Sequence, residues 1–247
     1  MKRISWQIWV AAALVAASVV AYVVHYAIFR DVHHIFIYMV GDLAFLPVEV
    51  LLVTIVIHRL LSQREKRALL QKMNMVIGAF FGEVGTDLLD LLAEFDEQPD
   101  AIRGELIVDA GWTDKRFKSV AKAVREHDFT IDANRGDLEE LRVFLSDKQD
   151  FLLRLLENPN LLEHDTFTNL LWAVFHLADE LVHRDDVTTL PATDYGHLSG
   201  DVKRVYGFLI AEWLDYMNHL KNKYPYLFSL AVRTNPFDAA ASAVVTQ

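Results

Sequence analysis

The chain has no cysteine among its 247 residues. That removes disulfide staples, thiolate nucleophiles and Cys-ligated zinc or iron–sulfur centres, and it suits a domain in a reducing cytosol. Glycine is sparse and dispersed: neither GxGxxG nor GxxxxGK[ST] occurs, so no phosphate-cradling loop is encoded. A Gly-x-Ser-x-Gly nucleophile elbow is missing as well. Basic residues number 24 against 34 acidic ones, and none gather into an arm that could neutralise a phosphate backbone. Nucleic acid is therefore not an expected partner. Strand-like alternation is scarce throughout, and no internal repeat or low-complexity tract occurs. The expected fold class is all-α.

What is present is apolar length. Residues 4–29 contain no charged side chain, with Trp6 and Trp9 at one end and Tyr22 and Tyr26 toward the other. Such a run exceeds the roughly 30 Å of bilayer hydrocarbon at about 1.5 Å per residue, and its aromatic flanks match interfacial anchors. A cleaved leader would carry only about 7–15 apolar residues, so the run reads as a retained anchor. Residues 35–57 form a second run, joined to the first by the short link Arg30-Asp31-Val32-His33-His34. Lys2 and Arg3 flank the same side as Arg59, Arg64, Lys66, Arg67 and Lys72, whereas the link holds a single Arg. Positive charge then predicts a multi-pass protein of the plasma (inner) membrane with both termini cytoplasmic. Arg59, Arg64, Lys66 and Arg67 also suit anionic lipid headgroups. Residues 1–61 are expected to be a transmembrane hairpin and the lipid bilayer its first partner.

The second run carries Asp42 and Glu49, two helical turns apart on a face shared with Tyr38. An ionised carboxylate at mid-bilayer costs about 2.5–3.5 kcal/mol on insertion scales, so each needs compensation. Counting from the link sets Tyr22 and His25 near the depth of Asp42, and Ser18 near Glu49. Either these groups pin the helices together, or several hairpins assemble so that Asp42 and Glu49 line a polar path. Pro47, between the two carboxylates, removes the helical donor to the Leu43 carbonyl and predicts a kink.

Residues 62–95 read as one connecting helix with Gly78, Gly82 and Gly85 on a common stripe, suited to close helix packing or to a hinge. Residues 96–234 are expected to be a cytoplasmic helical domain and 235–247 a flexible tail. In that domain Thr113 caps a helix to about Glu126, and another starts near Asp137 and stops at Asn158-Pro159. A third covers about 165–183 and a fourth about 201–223. The stretch 105–110 is too brief to assign, and 185–200, with Pro191 and Gly196, reads as the longest loop.

His176, Glu180 and His183 include a Glu-x-x-His step of the kind that di-iron bundles use, and Glu212, Asp215 and His219 fall on the last long helix. On a helical wheel both sets oppose the apolar stripes, which favours a solvated face over a metal site. Trp172 and Phe208 lie on the same outward faces, where they suit a partner surface or, as the favoured expectation, a second packing layer. No cofactor is expected. The layout points to a non-enzymatic, membrane-anchored cytoplasmic module that binds or senses, self-associates as a homo-oligomer and meets a cytosolic protein partner. The competing expectations are an oligomeric ion or proton channel lined by Asp42 and Glu49, and a metal-dependent enzyme.

Overall fold

The computed structural model describes residues 6–159, 161 and 164–245, and within them every side chain except those of Gln7 and residues 66–71. Lys2, Arg3 and the side chains of Lys66 and Arg67, used above for topology, lie outside the described residues. The chain is all-α. The helices are α1 (Trp6–Phe29), α2 (Val32–Phe80), α3 (Thr86–Ala93), α4 (Asp100–Arg103), α5 (Asp114–Glu126), α6 (Leu138–Leu156), α7 (Asp165–Val182), α8 (Ala192–Lys223) and α9 (Pro225–Arg233). A π-helical turn, Phe81–Gly85, separates α2 from α3. Among the described residues no strand forms; one isolated antiparallel bridge joins Asp96 to Ile131.

The chain divides into two compact units, Met1–Lys66 and Arg67–Gln247. In the first, α1 is 24 residues long, about 36 Å at the helical rise. Among the described residues, two helices are long and apolar enough to cross a membrane, over Ile8–Phe29 and Val32–Glu65. The link is tighter than the sequence predicts, because α2 starts at Val32 rather than residue 35. Asp31 explains this: its Oδ1 accepts from the His33 and His34 backbone N–H groups at 2.9 and 3.3 Å, capping α2. Arg30 closes α1 at a left-handed φ of 49°, donating its N–H to the Tyr26 carbonyl at 2.8 Å. α2 runs unbroken through Pro47.

The second unit holds the core: every fully buried residue among those described lies at or after Met73. Its centre is α8, which packs against α5 and α7 and also touches α3 and α9. Thr113 and Asp137 cap α5 and α6 as their positions predict, accepting from Arg116 and from Glu139 and Glu140.

Three expectations are corrected here, and the unassigned stretch 105–110 is resolved. The connecting helix over 62–95 is interrupted by the π turn, where the Thr86 hydroxyl donates to the Phe81 carbonyl at 2.9 Å and helps to satisfy the widened backbone. The stretch 105–110 is neither helix nor strand; it buries Leu106 and Val108 while remaining irregular. The loop at 185–200 is largely helix, since α8 begins at Ala192, immediately after Pro191. The tail is docked at its start. Asn235 and Phe237 are buried; Asn235 donates to the Leu106 carbonyl at 3.0 Å, and Arg103 Nε donates to the Phe237 carbonyl at 2.8 Å.

Candidate functional site

In the hairpin, a two-residue link sets the register. Counting outward from it places Ser18 level with Asp42, Tyr22 with Tyr38 and His25 with Ile35. These residues, with Ala21, line one cavity of about 340 Å³. A five-residue link predicts Ser18 near the depth of Glu49; the earlier start of α2 brings it level with Asp42 instead. Glu49 does not line the cavity and, like Asp42, is exposed on the hairpin surface. Toward the link, His25 Nε2 and His34 Nδ1 are 3.4 Å apart with their rings stacked, and His34 meets Tyr38 edge-on. Arg59 and Arg64 are exposed.

The three glycines stand in three different surroundings. The π turn adds a residue to the helical repeat and breaks their stripe. Gly78 faces Tyr216 and lines a cavity of about 250 Å³ with Met75, His219 and Tyr224. Burial, and then the Lys223 charge, hold the His219 imidazole below its ordinary value. Gly82 is open to space, whereas Gly85 is wedged against the rings of Phe80 and Phe81.

The histidines of α7 are reshuffled by the extension of α8. His176 and Glu180 stand beside His197 and Asp201, giving an alternating ring of imidazoles and carboxylates. His176 Nε2 lies 3.8 Å from Glu180 Oε1 and 3.6 Å from Asp201 Oδ2; His197 Nε2 lies 3.6 Å from Glu180 Oε2 and 3.3 Å from Asp201 Oδ2. Asp201 is buried; Arg204 donates to its Oδ1 at 2.8 Å, while Oδ2 makes no hydrogen bond. His183 takes no part, because its Nδ1 sits 2.8 Å from the Asp179 carbonyl oxygen. Among the described residues, no group of three or more histidines and carboxylates is arranged to hold a metal ion. The ring is instead a polar seam between α7 and α8. Arg184 extends it, donating to both carboxylate oxygens of Asp194 at 2.7 and 2.8 Å and to Glu180 at 2.8 Å. The same guanidinium holds the Glu180 and Asp194 carboxyls below the usual range.

Sequence reasoning missed His197, Asp201 and Arg184, and misplaced Glu212. The i, i+4 spacing of His197 and Asp201 signals them only once 192–200 is known to be helical. Glu212 was placed on an outward face and is in fact buried. A helix surrounded by α3, α5, α7 and α9 has little solvated side left, so a one-stripe wheel misreads it. Burial pushes the Glu212 carboxyl above its ordinary value, opposed by a hydrogen bond from Thr166 and by His164. Trp172 and Phe208 lie outward but stay exposed, so the expected second packing layer does not cover them.

Two family models match this chain: "MJ1433, N-terminal helical domain" over residues 2–61 and "Uncharacterized protein MJ1433, C-terminal helical domain" over residues 69–233. The chain is also similar to the uncharacterized protein MJ1433 of Methanocaldococcus jannaschii, 47% identical over 229 residues that cover 93% of this chain and 92% of that protein. No solved structure matches.

Proposed function

The chain belongs to the MJ1433 family, and from that premise we propose that it is an integral membrane protein whose hairpin anchors a cytoplasmic helical binding or sensing module and self-associates within the bilayer. The observation that carries this reading is the exposure of Asp42 and Glu49 on the hairpin. Each lies in a segment apolar enough to span a membrane, and neither makes a side-chain hydrogen bond among the described residues. A carboxylate facing lipid costs about 2.5–3.5 kcal/mol, which contact with another protein surface relieves. The charge asymmetry of the flanks supports cytoplasmic termini. The second unit, with its own closed core, suits the binding or sensing role toward a cytosolic protein.

One observation favours a second reading, an oligomeric ion or proton conductor: one cavity gathers Asp42, His25 and two tyrosines in a file along the hairpin. Native mass spectrometry of the full chain released from lipid nanodiscs separates the two. A dimer supports the anchored module, and a ring of four or more subunits supports conduction. Asp42→Asn with Glu49→Gln then weakens association in the first case, and in the second abolishes liposome flux with the ring intact. A bare monomer sinks both.

A further inference from the structure

The cavity between α1 and α2 has the lining of an interface, not of a lipid-facing surface. Its donors and its acceptor come from one face of each helix: Ser18, Tyr22 and His25 at helical spacing on α1, Tyr38 and Asp42 on α2. Tyr22 and Tyr38 are 43% and 58% exposed, so the notch is open rather than sealed within the chain. Among the described residues, neither tyrosine hydroxyl, nor Ser18, nor Asp42 has a side-chain hydrogen bond, and the hydrogen-bonding contact of His25 is to His34. Acyl chains offer neither donors nor acceptors, so lipid leaves all of these groups unsatisfied.

Resting on the membrane reading above, we infer that this notch is the contact face for the hairpin of a second copy of the chain, related by a two-fold axis. The argument is self-complementarity. A two-fold contact sets each surface against itself, so the surface must hold donors and acceptors together. The notch does: the Asp42 carboxylate accepts, while the Tyr22, Tyr38 and Ser18 hydroxyls donate. Asp42 of one copy meets a tyrosine of the other, and the reverse contact repeats it. Glu49, two turns farther along α2 on the Asp42 side, extends the same stripe. Interhelical hydrogen bonds of this kind hold membrane helices together where no hydrophobic force acts between them.

The absence of native cysteine makes the test clean. Ala21→Cys and Ile35→Cys place a thiol in the notch; Val20→Cys and Val40→Cys place one on the opposite side of each helix. Full-length variants in nanodiscs are oxidised with copper phenanthroline and scored for disulfide-linked dimer. The notch positions are expected to cross-link at least about tenfold more than Val20→Cys and Val40→Cys, and Asp42→Asn is expected to reduce that yield several-fold. Equal yields from all four positions, or preferential cross-linking at Val20→Cys and Val40→Cys, overturn the assignment of the face. If the native mass is a dimer and the notch does not cross-link, this inference fails while self-association stands. If the native mass is a monomer, both fail.

Discussion

Gly82 and Gly85 stand three residues apart in the same π turn, yet their surroundings assign them opposite fates. A Cβ on Gly85 would lie 2.5 Å from Phe81 Cδ1 and 2.9 Å from Phe80 Cε1. Both rings are fully buried and cannot swing away, so Gly85→Ala is expected to destabilise the helical unit by about 1–3 kcal/mol through overpacking. At Gly82 nothing lies within 4 Å and φ is not positive. Gly82→Ala is therefore expected to stabilise by about 0.4–1 kcal/mol by restricting the unfolded chain. Urea denaturation of the two variants side by side checks both signs; a fall in stability at both positions would contradict the open setting of Gly82. Sequence spacing put the two glycines on one stripe with Gly78, and only the π turn and the phenyl rings separate them.

At the scale of elements, the first turns of α8 show how tertiary contacts override local signals. Residues 192–200 contain Gly196 and Gly200 and follow Pro191, a composition that reads as loop. They fold as helix because Arg184 clamps Asp194 to Glu180, and because Leu198 is drawn into the core while Ser199 donates to the Tyr195 carbonyl at 2.7 Å. Ser199 also accepts from the Ala133 N–H at 2.9 Å. Charge-assisted hydrogen bonds of this kind contribute about 1.5–3 kcal/mol. Arg184→Ala is expected to cost about that much and to raise amide exchange over 192–200 while leaving 202–214 protected. Arg184→Lys recovers only part of the loss, since an ammonium cannot match the planar fork that serves two carboxylates. Unchanged exchange at 192–200 would show that Leu198 alone holds the segment.

At the scale of the whole molecule, burial is confined to one unit. The hairpin contributes no fully buried residue among those described, whereas the core built from Met73 to Phe237 encloses Phe80, Phe95, Phe117, Phe167 and Trp213. A core that closes on itself needs no lipid. The fragment Arg67–Gln247 is expected to express as a folded protein in detergent-free buffer and to melt cooperatively, as size-exclusion chromatography and circular dichroism would report. Aggregation of that fragment, or a non-cooperative melt, would mean that the hairpin supplies part of the core.

The helical class, two long apolar helices, the caps at Thr113 and Asp137, and the carboxylates in an apolar run were all legible in the order of residues. These are local properties: propensity, period and hydropathy act within a few turns of chain. The rest came from the folded arrangement. It set Ser18 level with Asp42, carried α8 back to Ala192, buried Glu212, docked Asn235 and Phe237, and exchanged His183 for His197 and Asp201 in the polar seam. Each of these depends on contacts between residues distant in the chain or on a link too short to read by composition. Such contacts outweigh local preferences of about 1 kcal/mol per residue once a core closes around them.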